Sequence, residues 1–122
     1  MLAEIRRVLR PGARLVVELS HRDWMVRVFQ EHDWQLMGEG RLLLVQRAFD
    51  PVGGIVQTTQ TLIAGSGERE SRSFGVRVYT ATELVAMLTR AGFAEVRCYG
   101  DLEGAPFRID ARLVAVAITP SR

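Results

Sequence analysis

The chain has 122 residues, of which 48% are hydrophobic and 25% charged, the size and balance of one globular domain and not of a disordered segment. All 16 basic side chains are Arg, interleaved with 14 acidic ones, and the formal charge of +2 is too small and dispersed for a phosphate-binding footprint, so nucleic acid is not an expected partner. Apolar runs such as Leu113 to Ile118 fall far short of the ~20 residues that cross a bilayer, and no signal-peptide pattern opens the chain; no membrane partner is expected, and the expected compartment is the cytoplasm.

In chain order, Leu2, Ile5, Val8 and Leu9 repeat with helical spacing, and Pro11-Gly12 stops that helix. Arg14 to Leu19 follows as a strand whose consecutive Leu15, Val16 and Val17 suit burial on both faces of a parallel sheet. A helix feeding such a strand through a short turn is the α-to-β step of a doubly wound fold. Ser20 can cap a second helix with Asp23 in its first turn, and Trp24, Met25, Val28 and Phe29 give that helix its apolar side.

The middle of the chain is β-rich. Arg41 to Phe49, Ile55 to Ile63 and Ser73 to Tyr79 are joined by Gly- and Pro-containing turns, which predicts an antiparallel meander. Its second strand carries Gln-Thr-Thr-Gln-Thr between Val56 and Leu62, polar on both faces, as expected of an edge strand or of one lining a wet cavity. Thr80-Ala81-Thr82-Glu83 is a capping box, opening a helix with Leu84, Met87, Leu88 and Ala91 on one face and closed by Gly92. Glu95 to Tyr99 is then a strand, and Arg112 to Ile118 is apolar on both faces and therefore central. The expected organisation is a helix-strand-helix over residues 1–35, an antiparallel β insertion over 36–79, and a helix with two strands over 80–122.

Few residues carry a chemical signal. Gly38-x-Gly40 and Gly65-x-Gly67 lack the third glycine of a dinucleotide loop, with Leu43 and Glu70 in its place, and neither pair sits between a strand and a helix. His21 and His32 are eleven residues apart, which matches no compact metal-ligand pair, and no metal is expected. His32 reads as a surface residue. His21, Arg22 and Asp23 stand beyond the carboxyl end of a strand, where open α/β sheets gather ligands; alternatively, Asp23 supports the helix start while His21 is solvated. Arg77 and Tyr79 alternate with Phe74, Val76 and Val78, so they share a face on which they can orient a polar substrate or simply make a cross-strand contact. Cys98 shares a strand face with Val96 and has no histidine beside it in sequence, which makes it a core residue and not a nucleophile.

Two stretches carry a resemblance. LAEIRRVLRPGARLVVE resembles the helix, turn and fifth strand late in class I S-adenosylmethionine-dependent methyltransferases, with Ala13 where the family usually has a second glycine. RVYTATELVAMLTRAGFAEVRCYGD resembles the next helix and strand of that family, and ARLVAVAIT its final antiparallel strand. Together they imply the carboxyl-terminal half of a doubly wound, Rossmann-like methyltransferase sheet with an antiparallel β insertion. In that family the glycine-rich loop, the acidic residue that holds the cofactor ribose and the adenine site all precede the position of Met1. The resemblance therefore implies S-adenosylmethionine for the full-length family and no cofactor binding by this chain alone. By the same resemblance, His21, Arg22, Trp24, Arg77 and Tyr79 line the pocket of a small-molecule methyl acceptor, with His21 as the one plausible base.

The missing neighbour strand implies that Leu15 to Leu19 forms an apolar edge. Its expected cover is a second copy of the chain, a separate amino-terminal half, or the β insertion folding back. Three functions follow: the substrate-side part of a methyltransferase, inactive alone; a stand-alone module that binds a small molecule; or an accessory, dimerising subunit of an active methyltransferase.

Overall fold

A computed structural model describes residues 1–121, which divide into two units. The first comprises residues 1–27 together with those from Tyr79 onward; the second is Val28–Val78.

In the first unit α1 (Leu2–Val8) ends before Pro11-Gly12, where Gly12 takes a φ of +77°, open to glycine at little cost. The turn is tied down from the far end of the chain. Thr119, 3% exposed, donates its hydroxyl to the Arg10 carbonyl (2.6 Å) and accepts from the Ala13 N–H (2.8 Å). The buried hydroxyl is thus fully used, and it anchors the start of β1 (Arg14–Leu19). That strand pairs antiparallel with β7 (Leu113–Ile118), Val16 opposite Val116. On its other side β7 pairs antiparallel with β6 (Glu95–Tyr99), giving the order β1-β7-β6. The central place expected for the last strand is the one it occupies.

One face of this sheet is the core. From α3 (Ala81–Arg90), Leu84 and Leu88 pack with Phe93 onto Leu113, Ala115 and Ala117, and Leu15, Leu19, Val96 and Cys98 close around them. Truncating any of the three large side chains to Ala removes about 2–5 kcal/mol. The capping box forms in full: the Glu83 N–H donates to Thr80 Oγ1 (3.0 Å) and the Thr80 N–H donates to Glu83 Oε1 (3.2 Å). Burial pushes the Cys98 thiol above its ordinary pKa, as suits a core thiol.

The opposite face is covered only in part: Val114 on β7 is buried, while β1 stands open. Burial along β1 alternates, leaving Val16 52% exposed, so the three consecutive apolar residues do not mark a strand covered on both sides. Nor does the described sheet contain a parallel neighbour pair; the doubly wound order expected from Leu15 to Val17 is not seen within it.

The second unit is a meander of β2 (His32–Leu36), β3 (Leu42–Asp50), β4 (Ile55–Ile63) and β5 (Arg69–Arg77), antiparallel throughout and paired in chain order. Two expectations are corrected here. The second helix, α2, covers only Arg22–Arg27, and the stretch beyond Val28 and Phe29 becomes β2, all five residues of which are exposed. And β4 is not an edge: its polar residues face β5, where Thr59 meets Ser73 and Thr61 meets Ser71 at 2.9 Å each, and Arg72 donates to Gln60 (3.0 Å). Cross-strand pairs of this kind give a polar strand partners within the sheet, and Gln60 also lines a hollow, the other expectation for this strand. No helix among the described residues is long and apolar enough to cross a membrane.

Candidate functional site at the end of β1

The chain leaves β1 at Ser20 and meets Tyr79 immediately. The Arg22 N–H donates to the Tyr79 carbonyl (2.8 Å), the Tyr79 N–H to the Ser20 carbonyl (3.4 Å), and His21 and Tyr79 form a parallel bridge. One residue later α2 begins, with the Met25 N–H donating to the His21 carbonyl (2.9 Å). His21 is therefore held by its backbone on both sides, as a positioned side chain must be.

Its imidazole is not solvated. The His21 side chain is 2% exposed, and its ring lies 4.8 Å from that of Phe107, tilted by 57°. Nε2 stands 3.4 Å from Asp23 Oδ2, near enough for an ion pair but not aligned for a hydrogen bond, and neither ring nitrogen has a hydrogen-bond partner. Asp23 is half exposed. A positioned imidazole with unused nitrogens beside a carboxylate is an arrangement suited to a general base. Phe107 was not legible as part of the site: it arrives from a turn-rich connection 86 residues on, with no spacing to announce it.

Of the other candidates, Arg22 and Tyr79 are joined through their backbones at this place, both half-buried, and Trp24 lies on the first turn of α2, 37% exposed, with the Arg27 guanidinium 6.0 Å from its ring. Arg77 belongs to the other unit. There its Nη1 donates to the Gly54 carbonyl (3.4 Å) and to that of Val78.

Of the concavities within single units, two are large. One is the open face of β1-β7-β6, about 560 Å³, floored by Val16, Val114, Val116 and Ile118. Arg97 on its rim is held charged, its pKa raised by hydrogen bonding to Tyr99 and then to Glu95 (2.6 Å). The other is a hollow of about 600 Å³ in the second unit, lined by Met37, Leu43, Gln60, Leu62, Glu70 and Arg72 among others. Among the described residues no group of three or more His, Cys, Asp and Glu side chains could hold a metal.

No protein-family model matches the sequence, and no curated protein sequence matches it. Solved structures do. The CcbJ methyltransferase from Streptomyces caelestis superposes with a TM-score of 0.83 at 19% identity, over 98% of this chain and 48% of that one. The fold is one found in S-adenosylmethionine-dependent methyltransferases. A methyltransferase of that description from Clostridium acetobutylicum matches at a TM-score of 0.77 and 10% identity, over 98% of this chain and 49% of that one. CalS10, an amino pentose methyltransferase from Micromonospora echinaspora solved with S-adenosylmethionine bound, matches at 0.59 and 22%, over 96% and 48%. This chain spans about half the length of each.

Among the described residues no glycine-rich loop joins a strand to a helix. Such a loop is what would bring backbone N–H groups to the methyltransferase cofactor, and the glycines with positive φ lie instead in turns and at helix ends, outside any strand-to-helix connection. At α3 the Thr80 and Glu83 side chains already occupy the helix start.

Proposed function

We propose that this chain is the substrate-side, carboxyl-terminal portion of a class I methyltransferase, without activity alone because the part that holds the methyl donor lies outside it. The observation that carries the reading is the match of nearly the whole chain to about half of a methyltransferase chain at a TM-score of 0.83. The open edge of β1 supports it, since among the described residues no strand pairs with that edge.

Methyl transfer from a sulfonium needs little from the protein beyond placing the acceptor in line and accepting its proton. In this reading His21 accepts that proton, Asp23 stabilises the imidazolium, and Arg22, Trp24 and Tyr79 bound the acceptor, a small molecule. CalS10 acts on an amino pentose, which makes amino sugars the first acceptors to try.

Calorimetry of the chain with S-adenosylmethionine tests the proposal: no heat of binding is expected, and a dissociation constant in the micromolar range would overturn it. An in-frame glycine-rich strand-loop-helix encoded ahead of Met1 is the second expected finding. The hollow lined by Met37, Gln60 and Leu62 favours one alternative, a module that binds a small molecule without chemistry. Retention of a small ligand by the full chain with His21 replaced would support that alternative.

A further inference from the structure

We propose that residues 100–107 form a strap that closes over the His21 imidazole and must open for the ring to be used, with Asp101 as its latch. The proposal rests on the reading of His21 as the base of the site. A base has to come within about 3 Å of the proton it removes, directly or through one water. Both ring nitrogens of His21 are buried and have no hydrogen-bond partner, so in this state neither an acceptor nor water reaches them. The backbone of His21 is not the part that moves. It is bonded through its own carbonyl to Met25, and through its neighbours Ser20 and Arg22 to Tyr79. Asp23 is half exposed and already meets water. The group to displace is the Phe107 ring, 4.8 Å from the imidazole.

Phe107 is carried by a closed loop. Tyr99 and Pro106 form an antiparallel bridge at its neck, where the Gly100 N–H donates to the Ala105 carbonyl (2.8 Å). A Cβ on Gly100 would stand 2.7 Å from the Pro106 carbonyl oxygen, so only glycine lets the neck close this tightly. Inside the loop one oxygen makes the fastening: Asp101 Oδ1 accepts from the Glu103 N–H (2.9 Å) and from the Ala105 N–H (3.0 Å). Bonds to a carboxylate are the stronger kind. The tip is open, with Leu102, Glu103 and Gly104 exposed and nothing within 4 Å of a Cβ placed on Gly104. Beyond Phe107, Arg108, Ile109 and Asp110 are exposed as well. A short loop with its ends drawn together, a fastened neck and an open tip has the form of a lid. Phe107 follows the neck by one residue, so releasing Asp101 releases the ring that covers His21.

Carbethoxylation of the full chain with diethyl pyrocarbonate, read by mass spectrometry at alkaline pH where imidazoles are neutral, tests the proposal. The chain has two histidines, and the exposed His32 is the internal standard. His21 should react at least about tenfold more slowly than His32. Asp101→Ala, which removes both bonds of the latch, should raise the His21 rate by about tenfold, and Phe107→Ala should raise it as far or further. Asp101→Asn keeps an acceptor oxygen and should restore the slow rate. Thr119→Val removes buried bonds to Arg10 and Ala13 beyond the far end of β7, and should lower overall stability while leaving the His21 rate unchanged. His21 reacting as fast as His32 in the unaltered chain, no acceleration in Asp101→Ala, or equal acceleration in Thr119→Val would each overturn the strap. So would a ring freed by Asp23→Ala and not by Phe107→Ala. The readout is access to the imidazole and not methyl transfer, so failure of the strap is distinguishable from failure of His21 as a base.

Discussion

His21 Nε2 lies 3.4 Å from the carboxylate of Asp23 while making no hydrogen bond, in a side chain almost wholly removed from water. A buried polar group without a partner costs stability, so such a residue is not kept for the sake of the fold. His21→Leu is expected to leave the chain as stable or to stabilise it by up to about 1 kcal/mol in urea unfolding. A loss greater than that would mean the imidazole has a structural partner, and would weaken its assignment as a base.

Helix α3 depends on a local device. Thr80→Ala removes one of the two reciprocal bonds to Glu83 and leaves the Glu83 N–H without its acceptor. The expected cost is about 1 kcal/mol, read as a lower urea midpoint with unchanged slope. Thr80→Ser should recover most of it.

Gly54 has a φ of +67°, and a Cβ placed there would meet the Arg77 guanidinium and stand 3.3 Å from the Val78 carbonyl oxygen. Gly54→Ala is expected to cost about 1–2 kcal/mol from the backbone and more from the displaced Arg77. A double-mutant cycle with Arg77→Ala separates the two contributions: in that background only the backbone cost should remain.

The two faces of β1-β7-β6 should respond differently to the same change. Val16→Glu adds a charge to a half-exposed site and should shift stability by less than about 0.5 kcal/mol. Ala117→Glu buries an unpaired charge at a position that is fully covered, and should prevent folding. Equal losses from both, in denaturant titrations of soluble protein, would show that the open face is in fact covered.

Cys98 should react slowly. With its pKa raised by burial, less thiolate is present at neutral pH, and reaction with a thiol reagent should be slower than in denatured protein. The same shift makes the neutral thiol's contribution to stability complete below the thiol's ordinary pKa, and it is lost as pH rises through the folded-state value.

What could be read from residues alone was what neighbouring residues decide. The Thr80–Glu83 cap spans three positions, and the apolar run of β7 announces a central strand by itself. The failures share a different cause. His32 to Leu36 becomes a strand because β3 offers it a backbone edge, and nothing in those five exposed residues announces that. The polar run of β4 suggested an edge because its partners, Ser71 and Ser73, lie 10 and 14 positions away. At the candidate site, the position of His21 was legible from the strand before it, whereas its burial depends on Phe107, which only tertiary packing supplies.

The hydrogen bonds that join Ser20 and Arg22 to Tyr79 also act as a clasp. The chain departs for the second unit after Arg27, at the end of α2, and is back at Tyr79, beside Ser20 and Arg22 where α2 begins. Whatever is spliced between those stems, long or short, begins and ends one short helix apart. The segment from Val28 to Val78 is therefore the part of this protein free to be exchanged, lengthened or lost while β1, β6 and β7 keep their register. A graft that replaces it with a short glycine-containing loop should leave the three-stranded sheet folded.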